Sequence, residues 1–571
     1  MTRLLINHHL SPTMKSSHSR CPSLYNRTLA LMAVAACLVF LALPGRAATV
    51  TLNASDAAGS SSFNAAGHWS NAAAPAAGNA YIDNTFVLRG PATGSFTFGG
   101  DSLTIGNGAG STAEFLLKSA ATQILTITGT GGLIMDGGNI READANGTVA
   151  SSTISGTMTV EATATLSALP SETVNIAANI LGSANIQISG TGVTGAGSTS
   201  GTLENEDYGL VILSGTNSSY TGNINIGSVG TGGMGTTLQA GSTTAFGTTS
   251  AVGLANIGPS TFSTFTSTGA ILDLNNFNNS IGSLAGGGTS GGNVFLEGAT
   301  LTTGANNTST NFAGGISGAS GGSLIKIGTG TQTLSGTSNY TGSTTVSGGT
   351  LQVTGSLAGT TAISASTGGL LEVDGSVNNA VTISVNGSGL QGSGTIGGAT
   401  LVSGTLSPGL DSALGTPAAG ILTANGAVSL DGSSTFSIRL GVQTYSDSDQ
   451  LSSNSLTLSN TPLQLTIGSA LASYNGTLGN IYTIVDGGYT SGDFSYDGTT
   501  IFDDQTITDD GFTFTVLYGA DGNGGTAGNV ELQAAAAVPE PGTWVSLLGG
   551  IVMLGAWQRR RSRALHSSEI D

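Results

Sequence analysis

Residues 324–353 read Leu324-Ile-Lys-Ile-Gly-Thr-Gly-Thr-Gln-Thr-Leu334-Ser-Gly-Thr-Ser-Asn-Tyr340-Thr-Gly-Ser-Thr-Thr-Val-Ser-Gly-Gly-Thr350-Leu-Gln-Val353. Short runs of Thr, Val, Leu and Ile are broken by Gly every few residues. Leu324, Lys326 and Gly328 fall on one side of an extended chain, and Ile325 and Ile327 on the other. Leu351 and Val353 share a side, with Gln352 opposite. This alternation with a period of two is the strand signal. Each run is too short to build a core alone, so it must stack on a neighbour.

The same phrases occur earlier in the chain. Leu213-Ser-Gly-Thr216 and Tyr220-Thr-Gly222 match Leu334-Ser-Gly-Thr337 and Tyr340-Thr-Gly342, with one residue more between Leu and Tyr. Thr237-Leu-Gln239 matches Thr350-Leu-Gln352, after a Gly-rich insertion around Gly227–Gly235. A repeated strand unit with loop insertions describes an array of stacked strands. The pattern resembles the autotransporter-associated β-strand repeat, with two clear copies (210–247 and 324–357) and weaker echoes from about Thr126 to Thr405. The resemblance implies an all-β chain folded as a right-handed parallel β-helix.

Composition points the same way. The chain has 571 residues, 91 of them Gly, and only 8% are charged. Scarce Lys, Glu and Arg disfavour helical bundles, and abundant Thr, Ser, Gly and Asn favour short strands joined by turns. A low-complexity disordered chain is the alternative, and the regular spacing of apolar residues argues against it.

Residues 1–47 have the layout of a secretory signal. Lys15, Arg20 and Arg27 precede the apolar run Leu29–Leu43, and Gly45-Arg-Ala47 supplies small residues for cleavage between Ala47 and Ala48. The region before the apolar run is long, so Met14 is an alternative start. Val34-Ala-Ala-Cys37 resembles a lipoprotein box, but the apolar run continues through Leu41 and places Cys37 inside it. Both cysteines, Cys21 and Cys37, precede the cut, which leaves no disulfide and no thiolate zinc site in the mature chain.

Between 48 and 538 there are five basic residues, Arg89, Lys118, Arg141, Lys326 and Arg439, against 29 acidic ones, a net of −24. Nucleic-acid binding needs Lys and Arg to neutralise phosphates, so this surface excludes it. A solvated acidic exterior is the plain reading, and cation-mediated contact with acidic polymers is the functional one.

Residues 48–120 are expected to cap the first rung. Phe63, Trp69 and Phe86 would cover an edge that otherwise invites aggregation, and His68 beside Trp69 is the competing reading as a ligand pair. Residues 121–405 form the repeat body, at roughly 20–25 residues per rung and on the order of 60 Å long. The Gly-rich run Gly286–Gly292 is expected as turn. Asn275, Asn276, Asn278 and Asn279 are read as side-chain ladders or as turn residues. From 406 to 535 the strands lengthen, as in Leu463-Gln-Leu-Thr-Ile467. This order resembles the closing region of autotransporter passengers, with Tyr518–Leu532 as their final hairpin.

The tail carries the most specific motif. Val538-Pro539-Glu540-Pro541, in a linker spanning 536–542, is followed by the apolar Thr543–Trp557 and then Arg559, Arg560 and Arg561 in the basic tail 559–571. Prolines keep the linker extended and open to a protease. The apolar run, expected as a transmembrane helix over 543–558, reaches about 23 Å against a hydrocarbon core of about 30 Å. The arginines hold the C-terminus in the cytoplasm. The arrangement resembles the PEP-CTERM sorting signal, which implies processing by an exosortase-type protease in a bacterium that makes exopolysaccharide. The residues Ala564–Asp571 extend beyond the usual family tail, and an ordinary membrane anchor is the alternative.

Catalytic patterns are few. Gly318-Ala-Ser320-Gly-Gly322 fits a nucleophile elbow, but roughly one such match arises by chance in a chain this rich in Gly and Ser. Gly286–Gly291 fits a dinucleotide loop equally by chance, with no βαβ context around it. His68 is the only mature histidine available to a triad. The pairs Asp447/Asp449, Asp503/Asp504 and Asp509/Asp510 could hold Ca²⁺, but none has the spacing of a full calcium loop, and solvated turn acids are the plainer reading. The expected protein is therefore non-catalytic, without cofactor or metal. It is exported to the cell surface or matrix after transient inner-membrane anchoring, with exosortase and exopolysaccharide as partners. The alternatives are a β-helical polysaccharide-binding or polysaccharide-cleaving enzyme, and an autotransporter-like adhesin passenger without its own barrel.

Overall fold

The computed structural model describes residues 47–118, 122–143, 151–169, 172–189, 209–227, 236–257, 269–289, 291–318, 321–384, 387–398, 400–409, 419–441, 444, 447–473, 480–519, 526–535 and 557–559. Of two compact units, Met1–Ala47 and Ala48–Asp571, the second carries the described fold.

That unit is a three-faced stack of parallel strands. Face 1 begins at Val87–Arg89, Glu114–Leu117, Asn139–Glu142 and Ala164–Ala168, each parallel to the next. It continues through Ile186–Ile188, Ile224–Ile226, Ala251–Leu254, Ser283–Gly286 and Thr310–Phe312. Thr331–Leu334, Thr350–Val353, Leu370–Val373, Gly389–Gly392 and Thr405–Pro408 follow. Thr435–Leu440, Thr461–Ile467 and Phe494–Tyr496 end the parallel run. At about 4.8 Å per strand, this ladder extends about 77 Å.

After each face-1 strand the chain turns to face 2 and then to face 3. In the matched region, face 2 holds the two-residue strands Thr337–Ser338, Ser356–Leu357 and Ser376–Val377. Face 3 holds Ser323–Lys326, Thr344–Val346, Ile363–Ala365 and Val381–Ile383. One rung here takes 19 or 20 residues, from Thr331 to Thr350 to Leu370 to Gly389. Earlier rungs take more, 22 from Ile271 to Asn293, 23 from Leu301 to Leu324, 28 from Ile224 to Val252 and 38 from Ile186 to Ile224. The expectation of 20–25 is thus slightly long for the repeat itself and short for the rungs that carry insertions.

The alternation of side chains builds the core. On face 1, Leu88, Phe115, Ile140, Leu166, Ile188, Ile226 and Leu254 occupy one registered column, all buried. Gly286 follows and then Phe312, Leu334, Val353 and Val373. Gly286 has a φ of +87°, and a Cβ there would lie 2.1 Å from the Leu254 carbonyl oxygen. Only glycine fits that approach.

Segment 48–120 does more than cap. Ala48–Thr51 pairs with Asn79–Asp83, which pairs with Ser102–Gly106, so it contributes rungs of its own. Within it Phe63 stacks on Phe115 at 5.5 Å, and Trp69 meets Tyr81 edge-on at 4.8 Å. Phe86 packs against this cluster half-buried.

Among the described residues, face 3 has no strand between Asn179–Gly182 and Asn279–Ile281, and asparagine side chains bridge the gap. Asn217 accepts from the Ile180 N–H at 2.7 Å and donates to the Ala245 carbonyl at 2.7 Å. Asn279 accepts from the Ala245 N–H at 2.9 Å. Asn279 is therefore a ladder residue, whereas Asn275 and Asn276, at φ +46° and +61°, are turn residues.

At the far end the strands lengthen to Ile421–Leu430 and Gln450–Leu458, then turn antiparallel. Val530–Ala534 lies between Ile481–Asp486 and Phe512–Tyr518. Thr506–Asp509 pairs outside Phe512–Tyr518, and this small sheet closes the stack.

Candidate functional site

Residues with reactive side chains are scattered. His68 is exposed while its neighbour Trp69 is buried and donates to the Ser62 carbonyl at 2.6 Å, so the two do not form a shared ligand pair. Ser320 lies outside the described residues. Gly288 and Gly291 bridge one another between the strands Ser283–Gly286 and Asn293–Phe295. Asp449 is buried against the Arg439 guanidinium at 2.6 and 3.0 Å, while Asp447 accepts from the Thr444 N–H. Asp503 accepts from the Tyr518 N–H, and Asp504 and Asp510 sit in left-handed turns. Among the described residues, no group of three His, Cys, Asp or Glu is placed to hold a metal ion.

The expected processing sites fall mostly outside the described residues: Val538, Pro539, Glu540, Pro541, Arg560 and Arg561 all do. Arg559 is exposed in a short helical turn, Trp557–Arg559. The helix expected over 543–558 is described only at 557 and 558, and no helix among the described residues is long and apolar enough to cross a membrane. Ala47 is half-buried, and the first strand starts at Ala48, whose N–H donates to the Gly78 carbonyl at 3.0 Å.

What the stack does present is ordered columns of one chemistry. Every second residue of a strand points outward, and parallel registry repeats that position on each rung. On face 3 the outward column runs Ser280, Thr302, Ile325, Thr345, Ser364 and Thr382, and includes Ser429, Thr457 and Ser491 on later rungs. Eight of these nine residues carry hydroxyls, on strands whose backbone registry runs over about 43 Å. Thr302, Thr345, Ser364 and Thr382 are half-buried, and Ser429, Thr457 and Ser491 are exposed. This column is the candidate functional site.

Face 1 carries a different column. Thr333 donates to Gln352 at 2.9 Å, and Gln352 donates to the Glu372 carboxylate at 2.9 Å. Gln391 donates to the other Glu372 oxygen at 2.9 Å. Gln352, Glu372 and Gln391 point away from Leu351, Leu371 and Leu390 yet are all buried, Glu372 completely. Their amide and carboxylate groups are spent on one another, so this column is structural. Alternation revealed Gln352 as outward-pointing, but nothing in a period of two shows that an outward residue will be covered.

Lys326 is the reverse case. It lies on the inner side with Leu324, and its Nζ donates to the carbonyls of Ile327 at 2.6 Å and Gly348 at 3.2 Å. Burial lowers its pKa from 10.5 to about 8. It is a corner clip buried in protein, not a reagent.

With this geometry in place, similarity to known proteins can be located on it. A crystal structure of the Haemophilus influenzae Hap adhesin aligns over 80% of this chain and 63% of its own, at 11% identity and a TM-score of 0.22, too low to carry an argument. The Adhesin BmaC autotransporter of Brucella suis biovar 1 (strain 1330) is 42% identical over 137 residues, which are 24% of this chain and 3% of that protein. The match therefore spans a small fraction of the relative's length. The passenger-associated-transport-repeat family matches residues 324–353, so the stretch that repeats in this stack is similar to that repeat.

Proposed function

We propose that the chain is an exported, surface-displayed adhesive protein of the autotransporter-passenger kind, whose working surface is the outward hydroxyl column of face 3. The observation that carries this reading is the registered column from Ser280 to Ser491 on a stack whose segment 324–353 matches a passenger repeat. Neutral hydroxyls at a constant spacing offer many weak, repeated contacts to a polymer or another cell surface, and their sum is what multivalent attachment needs. The Brucella suis protein that matches part of this chain is named an adhesin, which favours this reading over a polysaccharide-cleaving enzyme.

The test replaces Thr345, Ser364 and Thr382 together by Asp in the mature chain. Attachment of coated beads to the producing cells and to their secreted polymer is then measured beside circular dichroism. The expected result is lost attachment with an unchanged β spectrum. Full attachment by the folded triple variant sinks the assignment of this face.

Delivery is a separate question. We infer export through cleavage at Ala47–Ala48, and sorting through the Val538–Pro541 motif by an exosortase-type protease, with the apolar run as a transient membrane hold. The support is the order of Pro-rich linker, apolar run and Arg559–Arg561 in the sequence. Mass spectrometry of the mature C-terminus decides it: a terminus near Val538–Pro541 is expected, and an intact Arg559–Asp571 tail on secreted protein contradicts it.

A further inference from the structure

A cleft beside the first rungs is built from two loops that the fold holds rigidly. The first loop is tied at Ser62, whose N–H and Oγ donate to the buried Asp56 carboxylate at 2.9 and 2.5 Å. The Trp69 indole N–H grips the Ser62 carbonyl from the other side. The Asp56 carboxylate also accepts from the Arg89 N–H at 2.9 Å, which joins this loop to face 1. The second loop leaves face 1 at Gly90, whose N–H donates to the Leu116 carbonyl at 2.9 Å, and returns at Phe96, registered opposite Leu125. Between the loops lies a space of about 530 Å³, within the usual range for a small-molecule site.

Its lining has a definite chemistry. Ser60, Ser61, Asn64 and Thr93 contribute hydroxyl and amide groups, Phe96 contributes an aromatic ring, and the remaining positions are Gly, Ala and Pro. The Ser60 and Ser61 hydroxyls each donate to a carbonyl at 2.9 Å, so their lone pairs remain for a ligand. The side chains of Asn64 and Thr93 make no hydrogen bond among the described residues. Phe96 is 37% exposed although every other Phe of this end is more buried. Gly94, at φ +84°, would place even a Cβ within 3.4 Å of its ring. Glycine there keeps the ring edge open.

None of the lining residues is charged, on a mature chain that carries five basic against 29 acidic residues. A polyanion would find no cation here and a repulsive field around it. A sugar ring instead presents C–H groups on one face and hydroxyls around its rim, which match an aromatic ring flanked by amides and hydroxyls. We propose that this cleft is a binding site for one or two units of a neutral saccharide. The ring stacks on Phe96, and its hydroxyls pair with Asn64, Thr93 and the two serines. The inference rests on the surface-adhesive reading and adds to it a specific, pre-formed subsite that is separate from the face-3 column.

The experiment uses the full mature chain and saturation-transfer NMR. The probes are maltohexaose, cellohexaose and mannohexaose, with an alginate hexamer as the anionic comparison. At least one neutral oligomer should receive transfer and alginate should not. Phe96→Ala should weaken that binding about tenfold, the effect of one aromatic contact. Asn64→Asp, which keeps the volume and adds a charge, should weaken it as well. Both positions are solvent-facing, so unchanged circular dichroism is the folding control. Binding of alginate equal to that of the neutral oligomers overturns the proposal. So does the absence of transfer to all three neutral oligomers, or unaltered affinity in both variants. If these fail while the Thr345/Ser364/Thr382 variant still loses attachment, only the cleft is misassigned. If the cleft binds sugar and the wild type does not attach, the adhesive reading fails instead.

Discussion

Tyr220 and Tyr340 hold the same place in the repeated phrase but lie on different sides of the stack. The strand after Tyr220, Ile224–Ile226, belongs to face 1. The strand after Tyr340, Thr344–Val346, belongs to face 3, and face 1 is occupied in that copy by Thr331–Leu334, which holds the leucine of the phrase and precedes the two-residue face-2 strand Thr337–Ser338. Between the two copies the phrase has slipped by one face. It therefore encodes a strand, a corner and a second strand, whichever pair of faces these happen to join. Each tyrosine is buried at its corner, Tyr220 donating to the Ala184 carbonyl at 2.7 Å and Tyr340 lying 2.5 Å from the Thr344 hydroxyl. Tyr220→Phe and Tyr340→Phe should each cost about 1 kcal/mol by loss of one buried hydrogen bond. The two costs should add in the double variant, because the sites share no partner. Denaturant unfolding of the four proteins tests this, and a large coupling term would mean that the corners are not independent units.

The glycines of the phrase explain why it repeats. Gly215 and Gly336 are the third residues of the two Leu-Ser-Gly-Thr copies, and at either one a Cβ would fall 2.1 Å from a carbonyl of the preceding rung, that of Ala178 or Gly314. Gly222 and Gly342 end the two Tyr-Thr-Gly copies, with carbonyls at 2.0 and 2.4 Å from the same hypothetical atom. These approaches are backbone against backbone, so no rotamer change relieves them. Gly215→Ala and Gly336→Ala should each destabilise by about 2–3 kcal/mol, as overpacking does. Gly498, at φ +76° with open space around it, should lose only about 1 kcal/mol on the same change. Equal costs at all three positions would show that backbone conformation, not rung spacing, selects glycine in the repeat.

Strand class, the repeat and its stacking were legible in the sequence because alternation and phrase order are local signals. The slip between faces was not, since each copy is locally the same and only registry with distant rungs reveals where it lies. Nor does alternation say which of two sides is inward. Leu324 and Lys326 were visibly on one side, and Leu324 alone suggests that this side is the core, but a lysine argues against it. The structure resolves the conflict with backbone carbonyls at the corner, a local feature with no sequence mark. The Glu372 column stayed hidden for the opposite reason, since polar residues at outward positions read as solvated. The column Ser280–Ser491 shows in sequence only as Thr and Ser enrichment, and its continuity depends on the registry of ten strands.

Lys326 gives the stack a pH signature. Its pKa is about 8 when folded and 10.5 when solvated. Between those values the unfolded chain binds the extra proton, so stability rises with pH across this window, and the full penalty is present below pH 8. The penalty is on the order of 3 kcal/mol. Lys326→Met removes the titration, although it also leaves the Ile327 and Gly348 carbonyls without their donor. The informative quantity is the pH dependence of the difference between the two proteins. Wild type should gain on the variant from pH 8 to 10.5, and a flat difference would show that the amine is solvated in the folded stack.

Asp83 makes the opposite prediction at the first rungs. Its carboxyl is wholly buried, with one oxygen accepting the Phe86 N–H at 2.8 Å and the other without a hydrogen-bond partner among the described residues. Burial, reinforced by the Asp56 charge, raises its pKa from 3.8 to about 7. Here the folded chain holds the proton more tightly, so stability is highest below about pH 4 as far as this group is concerned. It falls as pH rises to 7, and the penalty is complete above that. Asp56 itself is held by Ser62 and the Arg89 N–H. Asp83→Asn keeps the acceptor for Phe86 and removes the ionisation. The variant should be more stable than wild type at pH 8 by up to about 4 kcal/mol, and the gain should shrink steadily towards pH 4. Thermal unfolding monitored at Trp69, whose ring packs against Tyr81 in the same cluster, reads this end of the stack directly. A gain that does not change with pH would place the benefit in packing, and Asp83 would then be ionised in the fold with a partner supplied by solvent.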